Sequence, residues 1–179
     1  MGGRTGLKGT DGEEILIRAK ELGATPVSPT RAAEALERIV NVKDDIKVIT
    51  YPHEMGEDEA RTCGLDTIII GSTIRGRTTA ADTRNAARQM LELQVDLILF
   101  AGGDGTARDI CEVIDGEVPA LGIPTGVKIY SGAFAVNPKV AGELAKKFLM
   151  DDVPLREAEI LDIDEDAFRK DRFSARLYG

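Results

Sequence analysis

The chain has 179 residues, 42% hydrophobic and 30% charged, with 19 glycines and a formal net charge of −8. This is the composition of a soluble globular protein, sized for one domain and able to bury a core without covalent staples. The acidic balance and an aromatic content of 4% argue against nucleic acid as a partner, and no apolar run approaches the roughly 20 residues of a membrane span.

In chain order the apolar period alternates between helical and strand-like. Residues 13–22 read as a helix ending at Gly23. Ser28-Pro29 opens a second helix, with Ser28 as its cap, running to about Val40. A β-branched strand spans 46–50, a helix 58–63, and an apolar strand 67–71 stopped by glycine. Thr79 and Asp82 have capping-box spacing for a helix reaching Leu93. Residues 95–101 form the clearest strand, apolar at six of seven positions, as expected where both sheet faces are covered. A helix over 105–114 places Ile110, Val113 and Ile114 on one face. A strand over 119–123, a helix over 138–150 and a strand over 156–163 complete the pattern. Strands alternating with helices of about ten residues predict βαβ units and a parallel sheet.

Open parallel sheets bind ligands beyond the carboxyl ends of their strands. Three loops fall there: Gly71-Ser72-Thr73 with Arg75 and Arg77 behind it, Gly102-Gly103-Asp104-Gly105-Thr106, and Pro124-Thr125-Gly126-Val127-Lys128. The opening segment from Gly2 to Gly9 has the same glycine-rich character. Converging glycines, hydroxyls and cations predict a phosphate site, with Gly71, Ser72, Thr73 and Lys128 as contacts beside the central turn. Glycines 102, 103 and 105 let backbone N–H groups approach phosphate oxygens, and the following helix points its positive end at them. Thr106 adds a hydroxyl. Asp104 has two readings: a metal ligand or proton acceptor beside the phosphates, or a helix cap. The arginine loop likewise suits a small anion or plain solvation. Asp109 is expected to be structural or solvated, Arg108 a surface residue, His53 a loop residue, and Tyr130 and Phe134 core. Cys63 and Cys111 read as buried thiols of a cytosolic protein.

Phe100-Ala101-Gly102-Gly103-Asp104-Gly105-Thr106 resembles the GGDGT motif shared by NAD kinases and by diacylglycerol and sphingosine kinases, with a close variant in phosphofructokinases. The continuation Ala107-Arg108-Asp109-Ile110, the segment from Gly2 to Gly12, Thr79-Ala80-Ala81-Asp82-Thr83-Arg84 and Leu121-Gly122-Ile123-Pro124-Thr125-Gly126-Val127-Lys128 resemble the ATP-NAD kinase-like group that includes acetoin-catabolism protein X. The likeness spans nearly the whole chain. It implies a Rossmann-like, three-layer α/β domain with a mostly parallel sheet, and phosphoryl transfer from ATP or polyphosphate with Mg²⁺ to NAD or a related hydroxylated metabolite. It implies that Gly102, Gly103, Gly105 and Thr106 hold the ATP phosphates and that Asp104 is the general base or positions metal and acceptor. Where NAD kinases carry an Asn-Glu pair after the turn, Lys128, Tyr130 and Ser131 stand here.

Members of that group begin with a strand and an Asn-Pro turn ahead of the Gly-Gly-Arg segment and continue into a β-rich domain. The resemblance therefore implies truncation at both ends and a protein that self-associates. Residues 1–150 are the expected nucleotide-binding domain. Residues 151–179 are an acidic exit segment, with eight carboxylates against one arginine over 151–166. A lipid or sugar kinase of the same superfamily and a non-catalytic nucleotide-binding module are the competing functions.

Overall fold

The computed structural model describes residues 21–23, 25–126, 129–150, 153–163 and 175–178. Of the expected helix over 13–22 only Glu21 and Leu22 fall within this set, and Lys128 lies outside it. Helix α1, Ser28–Leu36, carries Pro29 in its first turn, where a missing N–H costs nothing. Val27, not Ser28, takes the cap position and makes no side-chain cap bond. The helix stops at Leu36, short of the expected Val40. The chain there tightens into a 3-10 turn at Val40–Val42, a stretch of β-branched residues that crowd an α-helix.

Strand β1, Val48–Thr50, helix α2, Glu57–Thr62, and strand β2, Thr67–Ile69, form a parallel βαβ unit with Val48 opposite Thr67 and Thr50 opposite Ile69. Gly56 precedes α2 at φ 114°, a conformation that favours glycine. Helix α3, Ala80–Glu92, has the expected capping box: Asp82 N donates to Thr79 Oγ1, and Thr79 N donates to Asp82 Oδ2 at 2.8 Å. A second parallel unit follows, made of β3, Ile98–Gly102, α4, Asp104–Ile114, and β4, Ala120–Pro124, with Ile98 opposite Ala120 and Gly102 opposite Pro124. Helix α5 spans Pro138–Met150. The antiparallel pair β5, Ile160–Ile163, and β6, Ala175–Tyr178, closes the order. No hydrophobic pattern singled out β6.

The three layers come from side-chain alternation along the strands. Ile98 and Phe100 point to a core with Ala87 of α3 and Ala107, Ile110 and Ile114 of α4. Leu99 and Leu121 join Val48 and Ile46 against Ile39, Ala60 and Ala145 on the other face. Both parallel units thus share one helix layer, and among the described residues the parallel strands form two pairs, β1 with β2 and β3 with β4. Between β1 and β3 lies a cavity of about 1240 Å³ lined by both strands. The 153–163 segment packs on the same core: Ile160 is buried there, Gly132 N donates to Glu159 O at 2.8 Å, and Leu161 N donates to Ser131 Oγ. No described helix is long and apolar enough to cross a membrane.

Glu59 of α2 lines the cavity, 8% exposed, and its Oε2 has no hydrogen-bond donor. Burial pushes its carboxyl above the ordinary range, helped by the nearby Asp58 and Glu54. An acid whose folded value exceeds its unfolded one binds more protons when folded. Stability therefore falls as pH rises through the window above the unfolded value. Glu59→Gln is expected to raise stability at pH 7 by about 1 kcal/mol, with the gain lost near pH 4. Urea midpoints of both proteins at the two pH values check this.

Candidate functional site

The site begins where β3 ends. Gly102 closes the strand, Gly103 caps α4 in an extended conformation with no side-chain cap bond, and Asp104 is the first helical residue. The N–H groups of Asp104, Gly105 and Thr106 have no carbonyl one turn back to bond, and the first of the regular helical bonds is Ala107 N to Gly103 O. They form the positive end of an eleven-residue helix. A Cβ on Gly103 would meet nothing within 4 Å, so its face is open to an approaching group. Gly102 serves packing instead: a Cβ there would strike the Thr106 side chain, which folds back against it.

Asp104 is not a cap. Its carboxylate reaches across to the next loop, where Tyr130 N donates to Oδ2 at 3.0 Å and Ser131 N donates to Oδ1 at 3.0 Å. The structure thus adds a third role to the two read from the sequence: Asp104 fastens the loop after β4 to the start of α4. Thr125 N donates to Gly102 O at 3.1 Å and tightens the same junction. Two of the three expected loops therefore converge, the 102–106 turn and the segment after Pro124. Lys128, expected as a phosphate contact in that segment, is not among the described residues.

The third loop is held elsewhere. Arg75 Nη1 donates to Asp58 Oδ2 at 2.6 Å, Nη2 donates to Oδ1 at 3.1 Å, and Gly76 N donates to Glu54 Oε1. The Arg75 hydrogen bond and charge hold the Asp58 carboxyl below its usual range. The arginine loop is thus neither a free cation site nor merely solvated at Arg75. Gly71 has φ 66° and abuts the Tyr51 ring, which a Cβ would strike. Packing therefore accounts for Gly71, and Ser72 is exposed. Among the described residues no hydrogen bond or ion pair joins residues 71–73 to the 102–106 turn. His53, at φ 59°, sits in this tether with its Nδ1 3.1 Å from Arg75 Nη2. Its ligand atoms and those of Glu57 and Asp58 lie within 4.8 Å of one another, but Arg61 and Arg75 neutralise the two carboxylates.

Asp109, one and a half turns into α4, is buried and accepts from Arg84 Nη1 at 2.7 Å, an ion pair that joins α3 to α4. Arg108 is half-buried beside it, not a plain surface residue. Phe134 stacks edge-on to Phe100 at 5.3 Å, as a core residue should, whereas Tyr130 is 49% exposed. Residues 129–137 are not helical, so the helical spacing of the two aromatics does not put them on one face. Cys63 and Cys111 are half-buried free thiols, and burial pushes both up, which keeps them protonated and unreactive at neutral pH.

Sequence reasoning passed over Arg31. Its Nη1 donates to Pro124 O at 2.8 Å from the first turns of α1, and it lines a small pocket of about 320 Å³ with Gly126, Ser131 and Asn137. A single arginine in a helix carries no local signal of this. Only the docking of α1 on α5 and β4 brings it to the carboxyl edge. Comparison with known proteins gives one family: the model of the ATP-NAD kinase N-terminal domain matches residues 15–153. No curated protein and no solved structure matches the chain.

Proposed function

Because this chain belongs to the ATP-NAD kinase N-terminal domain family, a family of kinase-type enzymes, we propose that it serves phosphoryl transfer from ATP, or polyphosphate, to a hydroxyl of NAD or a related metabolite. The observation that carries this reading is the strand-to-helix turn at 102–106. It offers three amides without intrahelical partners, an open face at Gly103, and the carboxylate of Asp104 pinned beside them. The amides hold phosphate oxygens as the helix dipole favours. Asp104 is the carboxylate that the turn supplies. It is fixed in place by Tyr130 N and Ser131 N, and its remaining lone pairs can accept the proton of an acceptor hydroxyl or join a divalent ion. Mg²⁺, held mainly by phosphate oxygens and water with Asp104 as the protein ligand, would supply charge neutralisation on the phosphates. The same residues also suit a nucleotide-binding module without chemistry, a reading favoured by the two backbone donors that Asp104 already serves. We take the setting to be the cytoplasm.

Two measurements test this proposal. NADP formation from Mg-ATP and NAD tests the reaction. Gly103→Val tests the site, since the backbone there is extended and a Cβ meets open space, so the fold should tolerate the change. Its isopropyl group would stand where phosphate oxygens approach, and Mg-ATP affinity is expected to fall at least about tenfold by calorimetry with the melting temperature unchanged. Unaltered affinity would remove the turn from the phosphate site.

A further inference from the structure

An arginine keeps its charge wherever it sits, so one that is partly buried usually has a carboxylate beside it. Arg38, Arg61, Arg75, Arg84 and Arg108 each pair with one. Arg31 differs. It is half-buried, and its Nη1 donates to a carbonyl, Pro124 O, at 2.8 Å. A carbonyl fixes the guanidinium in place and leaves its charge uncancelled. Among the described residues Arg31 makes no ion pair, and four of its five N–H groups remain to be used.

The 320 Å³ pocket that Arg31 lines is at the small end of the range for ligand sites. No described carboxylate lines it. Arg31 belongs to the first turn of α1, Asn137 immediately precedes α5, and neither helix has an acid in its first turn, where acids are favoured. The other polar side chains of the wall are already engaged. Asn137 Oδ1 accepts from Val140 N at 3.0 Å, and Ser131 Oγ accepts from Leu161 N at 3.1 Å. The binding group left is the Arg31 fork, whose geometry fits the paired oxygens of a phosphate or a carboxylate. Its position ties it to the phosphate turn. Pro124 is the register partner of Gly102, so the carbonyl that holds Arg31 is one strand spacing, about 4.8 Å, from the strand that ends in the turn. Ser131 lines the pocket and also donates its N–H to Asp104 Oδ1 at 3.0 Å.

We propose that the Arg31 pocket holds a phosphate group of the acceptor substrate while the acceptor's hydroxyl faces Asp104. This assignment rests on the phosphoryl-transfer reading above. The donor's phosphates take the amides of the turn, and Asp104 marks where the acceptor hydroxyl arrives. A cation reached through Asp104's own bonding partner, Ser131, falls on the acceptor's side. Arg31 then selects hydroxylated acceptors that already carry a phosphate, as NAD does, over a neutral lipid or a free sugar, which offers the fork nothing to bind.

Inorganic pyrophosphate, titrated calorimetrically into the full chain, reads the pocket without reference to turnover. Gly103→Val blocks the turn, so binding that survives it belongs elsewhere. Adding Arg31→Gln should weaken that binding at least about tenfold. No binding to Gly103→Val, or binding that Arg31→Gln leaves unchanged, overturns the proposal. If Arg31→Gln lowers the melting temperature, Arg31→Lys decides, since it keeps the charge: pyrophosphate binding kept supports the pocket, and binding lost overturns it. A second titration separates acceptor from donor. Arg31→Gln alone should weaken NAD at least about tenfold and Mg-ATP less than about threefold. NAD binding that is absent or unchanged, or an equal loss for Mg-ATP, overturns the acceptor assignment. Failure of the phosphoryl-transfer reading looks different: Gly103→Val would leave Mg-ATP affinity unaltered, and the pyrophosphate result for Arg31 would stand by itself.

Discussion

Replacing Asp104 by asparagine is expected to cut phosphoryl transfer by about 10²–10⁴-fold while Mg-ATP affinity changes by less than about threefold. The asymmetry follows from what each atom does. The asparagine side chain would keep an oxygen able to accept from Ser131 N and Tyr130 N, which both lie within 3.3 Å of Oδ1 in the native chain. It would lose the negative charge and the capacity to take a proton or bind a divalent ion. The phosphates themselves rest on the backbone of the turn, which the change does not touch. Asp104→Ala separates the roles further. It leaves two amides without their acceptor, so stability should drop as well, by about 1 kcal/mol or more. Steady-state kinetics of NADP formation with calorimetric ATP binding gives the first result, and urea unfolding gives the second. Near-native turnover by the asparagine variant would reduce Asp104 to a fastener of the loop after β4. Loss of stability without loss of turnover in the alanine variant would say the same.

The largest effect on stability is expected at Gly142, far from the turn. Helix α5 crosses α1 so closely that a Cβ at this position would press on the Ala35 carbonyl oxygen and come within 2.8 Å of Arg38 Cβ. Ala35, Ala141 and Ala145 line the same contact and are at most 1% exposed. Backbone on one side and a buried small-residue seam on the other leave no flexible atom to move aside. Gly142→Val should cost about 3 kcal/mol or more, read as a lower urea midpoint. Gly103→Val, also a glycine lost beside a helix, should cost almost nothing. If the two variants unfolded at the same denaturant concentration, the α1–α5 contact would not be where the structure puts it.

The sequence by itself determined the family and most of the described elements, though not β6 or the end of α1. Local rules suffice wherever the deciding interactions lie within one turn or one strand, as with the capping box at Thr79 and Asp82, the bounds of α5, and the unbroken apolar run that became β3. The glycine turn at 102–106 was legible for the same reason, because its chemistry is carried by backbone that adjacent residues shape.

What only the tertiary structure decided are the partners across sequence distance. Asp104 meets Tyr130 and Ser131 from 26 and 27 positions away, so its fastening role leaves no mark in the motif. Gly71 belongs to the Tyr51 ring and Gly102 to the Thr106 side chain. A glycine kept for close packing looks, in sequence, like one kept for a phosphate. Arg75 was legible as a cation but not as one already paired with Asp58, since the position of α2 relative to the loop is set by β1–β2 pairing and not by local periodicity. The strand pairing itself is the clearest case. Periodicity predicts that a strand is buried on both faces, but backbone edges carry no side-chain signal, so only the assembled strands show which edges of β1 and β3 have no described partner.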